Sequence, residues 1–159
     1  MRIYNATLGK WLLQTPVSAT IQEAKATGVA SSTPHSCSGF SSCWDQAALN
    51  TISDPSGIVS AFASNRFTLP AGRYTIDINC DAKSITTKIL LYNVTNSSNL
   101  LIGASSGGSN RYIRINSSFG LSASTVLELR AFGSGGGQTD SGNGGVSSIY
   151  TNIIITKLE

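Results

Sequence analysis

Charge is scarce in this sequence: 11 Lys/Arg and 8 Asp/Glu among 159 residues leave a net charge of +3. No run of Lys or Arg occurs, so neither nucleic acid nor an anionic membrane is implied as a partner. Long apolar runs are missing as well; the longest are strand length, too short to span a bilayer. Val17-Ser18-Ala19 behind Trp11-Leu12-Leu13 has the look of a signal-peptidase site. However, Asn5, Lys10 and Gln14 interrupt the apolar core that a signal needs, so the segment reads as part of the protein. Neither heptads nor internal repeats are present, which argues against a fibrous shaft.

Groups that carry catalysis are equally sparse. His35 is the only histidine, so any Ser-His-Asp arrangement would hang on one loop residue. His35, Cys37 and Cys43 are metal-ligand types, but the Cys spacing is wide for zinc and no second Cys/His pair follows. Gly103 to Ser109 imitates a phosphate-binding loop without its Lys, and a strand follows where a helix is needed. The acids form no enriched cluster suited to glycoside hydrolysis. The expectation is a protein with no catalytic residue, no metal and no cofactor. Three cysteines cannot all pair: Cys80 reads as a small buried hydrophobe, while Cys37 and Cys43 are either unlinked thiols or a disulfide closing one loop.

Abundant Ser, Thr, Asn and Gly accompany β-branched strands and Gly-rich turns, a composition that argues for all-β architecture. Leu69-Pro70-Ala71-Gly72 is a turn that feeds an alternating strand, with Tyr74, Ile76, Ile78 and Cys80 on one face and Arg73, Thr75, Asp77 and Asn79 on the other. Strands are expected near 19–25, 41–52, 58–69, 73–81, 85–93, 99–105, 111–119, 125–132 and 147–158. Residues 1–18 read as an N-terminal arm and 19–159 as one β-sandwich, a length that supports a single core.

The ordered series from Trp44 to Thr51, through Asp54-Pro55-Ser56-Gly57, Leu69-Pro70-Ala71-Gly72-Arg73-Tyr74 and Leu91-Tyr92-Asn93-Val94-Thr95, to Leu127-Glu128-Leu129 and Tyr150 to Leu158, resembles one family. It is similar to the jelly-roll modules of tailed-bacteriophage virion proteins, distant relatives of the complement globular head and the tumour-necrosis-factor-like trimers. The resemblance implies a jelly-roll β-sandwich, a threefold homotrimer and a structural role on the virion surface. The strand after Tyr74 departs from the family pattern at Asn79-Cys80-Asp81-Ala82-Lys83, so no family role is carried to those positions.

Two strands are apolar on both faces. Ile89 and Leu91 alternate with Leu90 and Tyr92, and Ile153 and Ile155 alternate with Ile154 and Leu158. A two-layer sandwich leaves one face of each sheet in water, so something must cover the second face, either an arm or loop folding over it or, more readily, a subunit interface; the resemblance implies that this interface lies near a threefold axis, at Leu90, Tyr92, Ile154 and Leu158. The arm is too apolar for a disordered tail; Tyr4, Leu8, Trp11, Leu12 and Leu13 are expected to anchor it on the major capsid protein. The loop from Gly133 to Gly145 is the candidate display loop, with Gln138, Asp140 and Asn143 as contact residues. The sequence therefore points to a trimeric capsid decoration (cement) protein. The alternatives are the receptor-binding head of a tail fibre or tailspike, which would recognise host surface polysaccharide or protein, and a hydrolase acting on that polysaccharide.

Overall fold

The computed structural model describes residues 2–5, 10–13, 17–26, 44–82, 86–103, 106–107, 111–132 and 148–158, and every regular element among them is a β-strand. In chain order they are β1 (Arg2–Asn5), β2 (Lys10–Leu13), β3 (Val17–Lys25), β4 (Asp45–Gln46), β5 (Thr51–Ser53), β6 (Ala61–Ala63) and β7 (Arg66–Leu69). There follow β8 (Gly72–Ala82), β9 (Thr86–Asn93), β10 (Ser98–Ile102), β11 (Ser106–Gly107), β12 (Arg111–Leu121), β13 (Thr125–Phe132) and β14 (Ser148–Lys157). They form a jelly-roll sandwich of two antiparallel sheets. The first sheet has the order β12-β8-β14-β3-β5; the second has β10-β9-β13-β7-β6, with β4 added to β13 and β11 to β9. β1 and β2 make a separate two-stranded sheet.

Alternation along each strand builds the core. The first sheet contributes Ile21, Ile76, Ile78, Ile153 and Ile155; the second contributes Phe67, Leu69, Ile89, Leu91, Leu127 and Leu129, all buried in one cluster. Each such side chain stabilises the fold by roughly 1.5–3 kcal/mol relative to its exposed state. The register of β8 against β14, with Ile78 opposite Ile153 and Ile76 opposite Ile155, is the one that keeps all four inside. A slip of one residue would turn them to solvent.

Three expected strands are corrected by the pairing. The segment 41–52 is not one strand: β4 pairs with β13 in the second sheet, whereas β5 pairs with β3 in the first. Between them the chain crosses sheets, held by Ala47 N–H to Leu129 O (2.8 Å) and Asn50 N–H to Gln22 O (2.9 Å). The segment 58–69 is a hairpin, because Ser64 and Asn65 take φ of 52° and 60°, the consecutive positive values of a two-residue type I′ turn. In the segment 99–105 the strand ends at Ile102 and Gly103 donates its N–H to Ile89 O at 2.8 Å; residues 104–105 lie outside the described residues. A Cβ at Gly103 would lie 2.8 Å from Ile89 Cγ1 and 3.0 Å from Ile115 Cγ1, so only glycine permits that approach.

Candidate functional site

The motif residues that first mark this chain mostly hold its turns together. Tyr74, fully buried, donates its hydroxyl proton to Pro70 O at 2.9 Å and stacks on Phe119 with ring centroids 5.6 Å apart. Burial pushes the Tyr74 phenol above its ordinary 10.0. Asn50 pairs through its side chain with both backbone groups of Ala24, donating to the carbonyl at 2.8 Å and accepting from the N–H at 2.9 Å. It thereby extends the β3–β5 ladder where the main chain has left it. Asp54 accepts from the N–H groups of Ile58 (3.1 Å) and Val59 (2.7 Å), closing the turn that contains Gly57 at φ 65°. Asn93 Oδ1 accepts from Asn96 N–H at 3.0 Å, and Thr95 Oγ1 accepts from Val126 N–H at 2.9 Å. The bonds of Tyr74, Asp54 and Asn93 are local and specify turns, whereas those of Asn50 and Thr95 tie together segments 26 and 31 residues apart.

The outer face of the second sheet carries a different arrangement. Glu128 lies between Leu127 and Leu129 on β13, yet is itself only 2% exposed. Arg66 Nε on β7 reaches its Oε2 at 2.7 Å, and Arg130 Nε reaches its Oε1 at 2.6 Å. Gln46 on β4 donates to the same carboxylate at 3.2 Å and to Ser64 O at 3.0 Å. The Arg130 guanidinium sits over the Tyr92 ring, 3.4 Å from its centroid, a cation–π contact. Farther along β13, Phe132 packs against Trp44 with centroids 5.5 Å apart, opposite Lys88 on β9. Sequence reasoning missed this cluster. Glu128 and Arg130 share a strand face by simple alternation, but Arg66 is 62 residues away in sequence and only the β7–β13 register brings it near.

The outer face of the first sheet is lined with hydroxyls and amides. Ser18 and Thr156 hydroxyls lie 2.9 Å apart, and Gln22 donates to Asn152 at 2.9 Å. Asp77 accepts from Arg114 Nε at 2.8 Å, and that guanidinium holds the Asp77 carboxyl below its ordinary 3.8. Among these groups Ile154 stands 39% exposed, in register with Thr20 and Asp77. Leu158, 37% exposed, follows at the end of the strand.

The four residues expected at one threefold axis are divided between the two layers. Ile154 and Leu158 belong to the first sheet. Leu90 and Tyr92 lie on the outer face of the second, and Leu90 is already 3% exposed within the protomer, flanked in register by Arg130 and Ile102. Of the arm residues, Tyr4 is opposite Trp11 in the β1–β2 pairing, with Leu12 and Leu13 following in β2; Leu8 lies outside the described residues. Gln138, Asp140 and Asn143 also lie outside them, as do His35, Cys37 and Cys43. Cys80 is buried with its sulfur 3.6 Å from the Thr151 hydroxyl, in the inward position its alternation predicts. Among the described residues no three His, Cys, Asp or Glu side chains converge as a metal site.

Two sheets in this order, closed by these turns, make a jelly-roll fold. Solved structures share it: the globular domain of zebrafish complement 1qA protein superposes with a TM-score of 0.57 at 11% identity, covering 91% of this chain and 98% of that one. Murine APRIL gives 0.57 at 8% identity, covering 91% and 100%. Eiger TNF from S. frugiperda gives 0.51 at 12% identity, covering 92% and 94%. At these identities the likeness is one of fold alone. No family model and no curated protein matches the sequence.

Proposed function

We propose that the protein is a non-catalytic structural component of a phage particle: a homotrimeric jelly roll, anchored to the major capsid protein by its N-terminal hairpin and displayed on the virion surface as a decoration protein. The observation that carries self-association is the outer face of the first sheet. It places Ile154 and Leu158 in partial exposure among hydroxyls and amides, with the Asp77 charge paired to Arg114. Such a surface, apolar at Ile154 and Leu158 and with its polar groups paired to one another, suits a contact between copies. The C1q/TNF-like fold supports the same association, and the ordered motifs resembling virion modules support the particle. The hairpin supports anchoring: its register sets Tyr4 opposite Trp11 and Ile3 opposite Leu12, and an isolated hairpin is marginal in water without a surface to lie on.

The aromatic and guanidinium groups around Glu128 favour a second reading, the receptor-binding head of a tail fibre or tailspike. Light scattering of the purified protein tests association, with a trimer expected at micromolar concentration. Ile154→Asp should dissociate it while circular dichroism stays all-β, because unpaired charge buried around an axis costs several kcal/mol. A monomeric wild type would reject the trimer. Labelled protein found only at tail tips would replace the decoration role by the receptor-binding head.

A further inference from the structure

We infer that the outer face of the second sheet is a binding site for an acidic, carboxylate-bearing polysaccharide, read by Arg66, Arg130 and Lys88 with Trp44 as the stacking platform. Charge is the first argument. On this face, among the described residues, the cations Arg66, Arg130 and Lys88 accompany the Glu128 carboxylate, so positive charge is in excess there on a chain otherwise poor in it. Presentation of the guanidiniums is the second. Arg66 engages Glu128 through Nε, and its side chain is 44% exposed. The buried carboxylate orients the planar group and leaves its outer N–H edge for another acceptor, the fork geometry that recognises carboxylates.

Preorganisation distinguishes these groups from ordinary surface cations. Arg130 is clamped twice, by Glu128 Oε1 at 2.6 Å and by the Tyr92 ring at 3.4 Å, so little side-chain entropy remains to be lost on binding. A linear sugar chain also needs an apolar surface, because the C–H face of a pyranose packs on an exposed ring. Trp44 supplies it: it is 37% exposed and braced against Phe132, the cross-strand neighbour of Lys88. From Glu128 to Phe132 along β13 the groups extend over roughly 13 Å at the usual strand rise. That row offers an extended polymer a cation on each side of β13, Arg66 on β7 and Lys88 on β9, with the exposed Trp44 ring beside Phe132 at its end.

The site deepens the recognition role proposed above, but binding by purified protein needs neither a trimer nor a capsid, so it can fail while those hold, and the reverse. Titration of the full chain with polygalacturonate should show binding that weakens with salt, with methyl-esterified polygalacturonate and dextran bound much less. Arg66→Gln and Lys88→Gln should each weaken it by about tenfold or more, the cost of one charge-assisted contact. Lys88 lies outside the Glu128 network, so its variant remains informative if Arg66→Gln impairs folding. Arg73→Gln removes the same charge from the other sheet and should leave affinity unchanged. Failure of the folded wild type to bind either polygalacturonate or alginate overturns the site. So does equal binding of the esterified polymer, or equal weakening by Arg73→Gln.

Discussion

At the scale of single residues, Glu128 shows how much an apparently ordinary strand position can carry. Its carboxylate is shielded by two arginines, one glutamine and the sheet beneath. Removing one partner of a deeply buried ion pair costs about 3–5 kcal/mol. Here the arginine side chains are 44% and 28% exposed, so water can solvate them once the carboxylate is gone. Glu128→Ala is therefore expected to cost about 1–3 kcal/mol, measured by urea unfolding, and to release Arg130 from its place over Tyr92. Asp77 and Arg114 make a solvent-screened pair that gives a pH signature instead. The folded carboxyl titrates below its ordinary 3.8, so its contribution is present above that value and is lost as pH falls through the lowered one. Arg114→Gln should lower the melting temperature slightly at neutral pH and leave it nearly unchanged below the lowered value, so that the decline on acidification is flatter. Unchanged acid sensitivity would remove the pair from the account.

At the scale of elements, the turns divide into those declared by their residue types and those decided by packing. Asp54-Pro55-Ser56-Gly57 and Leu69-Pro70-Ala71-Gly72 announce themselves. Ser64-Asn65 does not, because neither residue is glycine; the β6–β7 pairing imposes the positive φ values that their side chains tolerate. Gly103 is decided by packing alone. Its missing Cβ makes room for Ile89 and Ile115 where β9 and β12 face each other across the sandwich edge. Gly103→Ala should thus destabilise the domain by about 1–3 kcal/mol through overpacking, a loss visible in thermal melts. A melting temperature equal to wild type would mean that the two isoleucines give way freely.

At the scale of the whole molecule, the hairpin and the sandwich are distinct sheets. Deleting residues 1–13 should therefore leave a folded jelly roll with a nearly unchanged melting temperature that no longer binds decoration-free capsids. A truncated protein that decorates shells as well as the full chain would reject the anchoring role. The all-β class, the sandwich and the inward residues of β8, β9 and β14 were legible because an alternation of period two needs no knowledge of neighbours. The crossover between β4 and β5 was hidden, since Trp44 to Thr51 offers apolar residues to both sheets in turn. Sequence likewise identified Ile154 and Leu90 as apolar residues on outward positions but could not assign them to different layers. What the sequence by itself determined is local: which side chains alternate, which turns must form and which chemistries are missing. The tertiary structure alone decided the Glu128–Arg66–Arg130–Tyr92 cluster and the separation of the two apolar pairs, because strand order and register join residues whose distance along the chain carries no signal.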